Sequence, residues 1–312
     1  MLSLFRLFLV IILGISISTV AYAENLLPPQ LGEVMKENEN IQKSMFRQQR
    51  VLNNRKKIAN NILSMSGEIL SYHTIKKGTS ITISRYDTVD LWVQDIQLDT
   101  WWRLESILTL GWYDENSGEP LFEKKKLSEV KNTLPNPPFS IINGQFFDPK
   151  KSNTPLSFWL KVDGIVRTAW ADNRNEPKNI LILEKDKAKI IPYSWENLRD
   201  APGYFAMVNL SLEKSHYRDE NLGRTYMCLR NPNSNNESSN LLIFTAVSMT
   251  EPIIENELIR WGCTLPFSTK LDSSGSTRLW VNGEYIYGNS HNGIPDYRWI
   301  PHSIVTYDWT QS

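Results

Sequence analysis

The stretch Thr269-Lys270-Leu271-Asp272-Ser273-Ser274-Gly275-Ser276-Thr277 is the most informative part of this chain of 312 residues. Residues 267–271 have the apolar and β-branched composition of a buried strand, and Asp272 follows where that strand should end. The small residues after this carboxylate leave room for a ligand to approach the backbone amides, which can bind an anion. A flexible Ser-rich turn is the alternative. The Gly spacing does not fit a nucleotide-binding loop.

Two other segments place polar residues at the end or the start of a predicted strand. Ile142-Asn143-Gly144-Gln145-Phe146-Phe147-Asp148 continues a strand at 139–142, and Gly223-Arg224-Thr225 opens a strand after a polar loop. An Arg side chain can bind a phosphate through two parallel hydrogen bonds. An ordinary turn and a surface ion pair are the alternatives. Because sites often form where strand ends meet, we expect the three segments to converge.

The rest of the chain predicts a sheet-rich domain from about residue 69 onward. Short β-branched and aromatic runs alternate with turn residues, which is typical of strands. The pairs Asp163-Gly164 and Asn282-Gly283 predict tight hairpins. Helices are predicted at 127–133 and 255–262. The stretch 231–240 is polar and of low complexity, and we expect it to be a mobile loop.

Residues 1–23 have the features of a signal peptide. Arg6 precedes an apolar run at 7–17, and Ala21-Tyr22-Ala23 fits the small-x-small pattern read by signal peptidase. We therefore expect export, to the periplasm or as a secreted protein, with the mature chain beginning near Glu24. An uncleaved anchor that keeps the protein at a membrane is the alternative, because the apolar run approaches spanning length.

Residues 24–68 predict a helical extension or spacer before the main domain at 69–312. Within it, residues 31–63 have apolar side chains at loosely helical spacing and no Gly or Pro after Gly32. Interruptions of the heptad argue against a strong coiled coil. A spacer or packing helix is the first interpretation, and an arm that binds a protein partner is the second.

The composition narrows the class of ligand. Lys and Arg number 34 and Asp and Glu 34, and loss of Arg6 with the signal leaves a mature net charge of −1. This balance argues against a nucleic-acid partner, which would require a basic stripe. Eleven Trp, 12 Tyr and 11 Phe suit either stacking on sugars or packing in a sheet core. Cys228 and Cys263 form an even pair, which in an exported protein indicates a disulfide rather than a metal site.

Taken together and in this order, the three segments resemble the phosphodiester glycosidase family. Its members have an Asn-Gly-Gly-Phe-Phe turn, an Arg-Thr pair opening a central strand, and a Leu-Asp-Gly-Gly-Gly-Ser-Ser loop. Here these are 143–147, 224–225 and 271–277, and 298–305 is similar to a closing family segment. The resemblance extends from about residue 78 to 307. Gln145, Ser273 and Ser274 stand where the family has Gly.

The resemblance implies an exported hydrolase that cleaves a glycosyl-phosphodiester bond in a glycan or glycoconjugate. In that reading, Asp272 acts at the sugar centre as nucleophile, base or oxocarbenium stabiliser, Arg224 binds the phosphate and Asn143 orients the substrate. A proton could come from His302 or His291. Further contacts with a carbohydrate or sugar-phosphate substrate are expected from Gly144, Phe146, Phe147, Asp148, Thr225, Ser273, Ser274, Gly275, Ser276, Arg298 and His302.

The same resemblance implies an α+β fold, a mixed, β-sheet-rich domain with few helices that follows the N-terminal helical extension. A non-catalytic protein of this fold, which binds envelope glycans or sugar phosphates, is the alternative, because three family Gly residues are replaced. No cofactor is expected. A divalent cation near Asp272 and Asp148 is a minor alternative, although no calcium-loop pattern is present.

Overall fold

The computed structural model describes residues 71–74, 81–86, 91–100, 102–115, 118, 120–166, 176–212, 217–281, 284–287 and 299–308. All of them belong to one unit, Gly67–Ser312. The predicted signal peptide at 1–23 and helical extension at 24–68 lie outside the described residues, as do His291 and Arg298. No helix in the described part of the chain is both long and apolar enough to cross a bilayer.

The described residues contain twenty strands and three α-helices. The helices are α1 (Leu127–Thr133), α2 (Trp195–Arg199) and α3 (Glu251–Arg260). The strands are β1 (Ser71–Thr74), β2 (Ile81–Tyr86), β3 (Leu91–Gln97), β4 (Trp102–Leu108), β5 (Leu110–Tyr113), β6 (Pro120–Glu123), β7 (Ser140–Asn143), β8 (Asn153–Thr154), β9 (Leu160–Val162), β10 (Ile165–Val166), β11 (Lys178–Leu183), β12 (Ala188–Pro192), β13 (Phe205–Leu210), β14 (Leu222–Arg230), β15 (Glu237–Ser238), β16 (Asn240–Met249), β17 (Cys263–Lys270), β18 (Arg278–Val281), β19 (Glu284–Tyr287) and β20 (His302–Asp308).

The strands form three sheets. The largest has the order β1-β2-β3-β16-β14-β17-β13-β11-β12-β15, with β9 pairing β13 and β10 pairing β9. The second has the order β19-β18-β7-β20-β4, and the third is β5-β6-β8. Every strand pair in the described part of the chain is antiparallel.

The expected α+β class is wrong, because the described domain is a β-rich fold of antiparallel sheets. In an α+β fold the helices form a segregated layer or region beside the sheet, whereas the three helices in the described residues are isolated. They are short, and their buried side chains join the clusters on the outer faces of the two larger sheets. Sequence patterns can indicate single helices but not whether those helices pack together as a layer.

The main hydrophobic core lies between the two larger sheets. Its buried side chains come from both, including Ile243 and Met227 of the first sheet and Ile142, Leu279 and Ile304 of the second. Three smaller clusters lie on the outer faces, where α3 and α2 pack on the first sheet and α1 packs on the second. Two sheets that share a core in this way form a β-sandwich.

Several local predictions are confirmed and one boundary is wrong. Helix α1 has the predicted bounds, and β9 and β10 pair around Asp163 and Gly164, whose φ angles are 51° and 76°. Both positive angles are those of a tight primed hairpin turn. Strands β18 and β19 pair as predicted. Helix α3 begins at Glu251 rather than at 255; Thr250 occupies its N-cap position and Pro252 lies in its first turn, where Pro is favoured because its missing N–H is not needed.

Cys228 and Cys263 are joined in a disulfide between neighbouring strands β14 and β17. Their Cα atoms are 5.9 Å apart, and both residues are buried. The bond closes a segment with a sequence separation of 35 residues. On the chain-entropy model such a closure stabilises the folded state by about 4 kcal/mol.

Candidate functional site

Asn143, Thr225 and Asp272 meet where the two larger sheets touch at one end of the sandwich. The Asn143 side chain donates a hydrogen bond from Nδ2 to the Asp272 carbonyl at 2.6 Å. Its Oδ1 accepts from the Thr225 hydroxyl at 2.7 Å and from the Arg278 amide at 3.1 Å. Since Asn143 is buried, these bonds satisfy its amide and join β7, β14 and β18. The structure therefore brings together one residue from each predicted segment.

The turn after Asp272 is held mainly by its own hydrogen bonds. The Ser273 amide donates to Asp272 Oδ1 at 2.9 Å, and the Ser273 hydroxyl donates to the Leu271 carbonyl at 3.1 Å. Ser274 has a φ of 60°, in the left-handed region that favours Gly. Residues 274–276 form a short 3-10 turn, in which Gly275 and Ser276 are buried while Asp272, Ser273 and Ser274 are half-buried.

Gly144 is one position at the site that has no room for a side chain. A Cβ atom there would lie 2.3 Å from Nδ1 of His302 and 2.5 Å from its Cγ. The Gly144 amide also donates to the His302 carbonyl, and its own carbonyl accepts from the Asp272 amide. Close contact with the imidazole ring explains Gly at this position, since the φ angle is not in the left-handed region.

We expect Gly144→Ala to lower the free energy of unfolding by about 1 to 3 kcal/mol, because the new methyl group overlaps a buried ring. Denaturant unfolding of both proteins measures the change. The same substitution in a His302→Ala background is the control, since the ring is then absent. An equal loss in the two backgrounds would show that the ring contact is not the cause.

His302 is buried and is held by two hydrogen bonds. The Gln145 amide donates to Nδ1 at 3.1 Å, so the ring proton lies on Nε2 and donates to the Ser106 hydroxyl at 2.8 Å. Burial lowers the pKa of His302 to about 3. A neutral imidazole with both nitrogens occupied supports the Asn143 loop and is poorly placed to supply the proton that the sequence suggested.

The other residues of the first segment, 145–148, lie in different environments. Gln145, where the family has Gly, is buried; its side chain donates to the Trp159 carbonyl at 2.9 Å and accepts from the Phe158 amide at 3.2 Å. Phe146 contacts the Phe158 ring edge-on at 5.5 Å. Phe147 packs in the cluster on the outer face of the second sheet, and Asp148 Oδ1 accepts from the Lys150 amide at 2.9 Å.

Arg224 faces the opposite side of β14 from Thr225, as alternation along a strand requires. Its Nε donates to the Met249 carbonyl at 3.1 Å, and its Nη1 donates to Glu251 Oε1 at 3.0 Å. Its Nη2 donates to the carbonyls of Tyr217 and Glu220 at 2.6 and 2.9 Å. The side chain is 1% exposed. The guanidinium thus anchors α3 to the sheet and does not lie beside Asn143.

Glu251 is the centre of this buried cluster. Its Oε1 accepts hydrogen bonds from Arg224, from the Tyr226 hydroxyl at 2.8 Å and from Lys270 Nζ at 2.5 Å. Burial raises the pKa of Tyr226, which keeps the phenol neutral. Burial also lowers the pKa of Lys270, an effect that the charge of Glu251 opposes. One carboxylate therefore balances two buried cations.

Lys270 connects this cluster electrostatically with the Asp272 turn. Burial lowers the pKa of Lys270, the Glu251 carboxylate is the main opposing effect, and the negative charge of Asp272 makes a smaller contribution in the same direction as Glu251. No role for Lys270 or Glu251 was expected from the sequence. The sequence feature that could have indicated this cluster is Lys270 itself, a charged residue between Thr269 and Leu271 in a strand expected to be buried. A buried charge requires a partner.

The arrangement offers a half-buried carboxylate and backbone N–H groups in a Ser-rich turn. A carboxylate of this kind can stabilise positive charge that develops on a substrate, and N–H groups in such a turn can bind an anion. Among the described residues, no group of three or more His, Cys, Asp or Glu side chains is placed to hold a metal ion.

Fold and site together define an antiparallel β-sandwich protein with a carboxylate-bearing turn at the junction of its two larger sheets. No protein-family model matches the chain, and no curated protein matches it. The solved structures it is similar to include the catalytic domain of zebrafish N-acetylglucosamine-1-phosphodiester alpha-N-acetylglucosaminidase, auto-inhibited by its pro-peptide. That similarity has a TM-score of 0.49 and 13% identity, and it covers 75% of this chain and 80% of the zebrafish chain.

Two further solved structures are similar to this chain. One is a hypothetical protein from Synechocystis, with a TM-score of 0.41 and 8% identity over 76% of this chain. The chain spans 63% of the length of that protein. The other is a Burkholderia pseudomallei protein described as exported, with a TM-score of 0.36, 9% identity, and coverage of 73% and 74% of the two chains. At these values the comparisons assign no family to the chain.

Proposed function

We propose that the protein is an exported hydrolase that cleaves the bond between a sugar and a phosphodiester. The observation that carries the proposal is the meeting of Asn143, Thr225 and Asp272, which are distant in sequence and come from the three motif segments. The order of these segments resembles that of the phosphodiester glycosidases. The predicted signal peptide at 1–23 supports export.

In the proposed reaction, Asp272 stabilises the oxocarbenium-like transition state or attacks the sugar centre. The bond from the sugar carbon to the phosphate oxygen breaks, and the leaving group is a phosphate monoester, which is already a stable anion and requires little protonation; water then supplies the new hydroxyl of the free sugar. The backbone N–H groups of Ser274 and Gly275 bind the phosphate, since those of Ser273 and Ser276 donate within the turn. Arg224 is not assigned to the phosphate, because its guanidinium is directed at Glu251 and at backbone carbonyls. Asn143 and Thr225 position the turn.

Substitution of Asp272 by Asn tests this proposal. The amide keeps an oxygen that can accept from Ser273 but removes the charge, so release of free sugar from a sugar-1-phosphodiester should fall about 100-fold or more. Asp186→Asn is the matched control, because Asp186 is exposed on the β11–β12 turn. Both variants are assayed at equal folded concentration. Unchanged turnover in Asp272→Asn would remove Asp272 from the mechanism.

A second candidate is a non-catalytic protein that binds glycans or sugar phosphates at the same turn. The engagement of all polar atoms of the Asn143 amide with protein partners favours it, because that side chain then acts structurally. Calorimetry with a sugar-1-phosphate, alongside the activity assay, separates the two functions. Saturable binding that is lost in Asp272→Asn and occurs without turnover supports the second candidate.

A further inference from the structure

A polar cleft of about 510 Å³ opens at the end of β14 that is opposite to the Asp272 turn. Arg230, the last residue of β14, lies in its wall, whereas Thr225, near the first, contacts Asn143. None of the cleft's residues belongs to the site described above. The lining residues are Gln97, Lys187, Arg230, Asn231, Asn233, Glu237, Ser238, Ser239 and Asn240.

The cleft forms where the edge strand β15 of the largest sheet returns toward β14. The Ser238 hydroxyl donates to the Arg230 carbonyl at 2.6 Å, and this bond closes one side. Asn240 is paired with Gln97 across β16 and β3, and this pair forms the other side. Lys187 stands on the turn between β11 and β12 and completes the wall.

The turn at 231–236 is fixed by hydrogen bonds, although the sequence suggested a mobile loop. Asn233 Oδ1 accepts from the amides of Asn235 and Glu237 at 2.9 and 3.0 Å. Asn231 and Asn236 adopt φ angles of 47° and 61°, which Asn tolerates better than most residues. The cleft is therefore preorganised, which lowers the entropy that a ligand must lose on binding.

The charges in and around the cleft are already paired. Lys187 Nζ donates to Glu237 Oε1 at 3.1 Å, with Glu184 at 3.8 Å. Arg230 Nη1 donates to Asp95 Oδ2 at 2.5 Å, while 39% of its side chain remains exposed. The Arg230 guanidinium also lies 6.0 Å above the centre of the Trp261 ring, which orients its plane. With each cation neutralised, the cleft has no surplus positive charge for a phosphate group.

We propose that this cleft binds a neutral oligosaccharide. The cavity is lined by guanidinium and ammonium groups, which donate, by a carboxylate, which accepts, and by amide and hydroxyl groups, which do both, so together they can bind sugar hydroxyls. A volume of about 510 Å³ lies within the ordinary range for small-ligand sites. The proposal is independent of catalysis at Asp272, because the two sites share no residue.

Titration calorimetry with maltotetraose, cellotetraose, chitotetraose and mannotetraose tests the proposal on the full chain. At least one tetrasaccharide should bind, and inorganic phosphate should not compete with it. Ser239→Tyr should weaken binding at least 10-fold, because the ring fills the cleft. Ser234→Tyr is the control, since Ser234 is exposed on the same turn and does not line the cavity. Asp272→Asn should bind as the unchanged protein does.

Lys187→Met, compared with exposed Lys185→Met, repeats the test if Ser239→Tyr does not fold. The Lys187 substitution should weaken binding at least threefold, and the Lys185 substitution should leave it unchanged. The proposal is overturned if no tetrasaccharide binds, if phosphate competes, or if each variant and its control lose affinity equally. Loss of binding in Asp272→Asn alone would assign the sugar to the other site.

Discussion

Glu251→Gln is expected to lower the free energy of unfolding by about 3 to 5 kcal/mol, because it removes the buried negative charge to which two buried cations donate. Arg224 and Lys270 both donate to the same carboxylate oxygen, and all three side chains are nearly inaccessible to solvent. The Gln side chain can still accept hydrogen bonds but cannot balance the two charges. Denaturant unfolding with a two-state fit measures the change.

Glu257→Gln is the matched control, since it makes the same chemical change on the same helix, α3. Burial raises the pKa of Glu257, so its charge is not strongly stabilised and removing it should change stability by less than about 0.5 kcal/mol. The double variant Glu251→Gln/Lys270→Met should recover part of the loss, because one unbalanced cation is removed. If Glu251→Gln and Glu257→Gln have equal effects, the cluster is not the source of the stabilisation.

The second large expected effect is a decrease in the free energy of unfolding at acidic pH, caused by His302. Its pKa is about 3 in the folded protein and 6.5 when exposed, so the unfolded chain takes up a proton that the folded chain does not. The folded state should lose about 1.4 kcal/mol for each pH unit as the pH falls from 6.5 toward 3. Above pH 6.5, His302 contributes no pH dependence to the free energy of unfolding.

Comparison with His302→Gln isolates this contribution from that of the carboxylates. The variant is less stable at neutral pH, but the difference between the two proteins should shrink by about 3 kcal/mol between pH 6.5 and 4. The imidazole proton signal of His302 in NMR should also stay unshifted down to pH 4. Parallel stability curves, or a His302 signal that titrates near pH 6, would refute the buried neutral imidazole.

The sequence predicted those parts of the molecule that depend on local chemistry. The pair Asp163-Gly164 predicted its hairpin because both residues accept positive φ angles, and the pattern at 127–133 predicted α1. The carboxylate and small residues at 272–276 predicted a turn at a strand end, and the structure has a short 3-10 turn there. The sequence predicted that the three motif segments converge with Asn143, Arg224 and Asp272 in one site, whereas in the structure Thr225 rather than Arg224 contacts Asn143.

Only the tertiary structure decided which way side chains face and which sheets they join. Arg224 and Thr225 are neighbours in sequence, yet the strand turns one toward Glu251 and the other toward Asn143. Local patterns contain no information on which face of β14 will be covered by α3, because that depends on packing between elements far apart in the chain. For the same reason the antiparallel sandwich, the buried neutral His302 and the polar cleft at Arg230 emerge only when strands from across the chain are brought together.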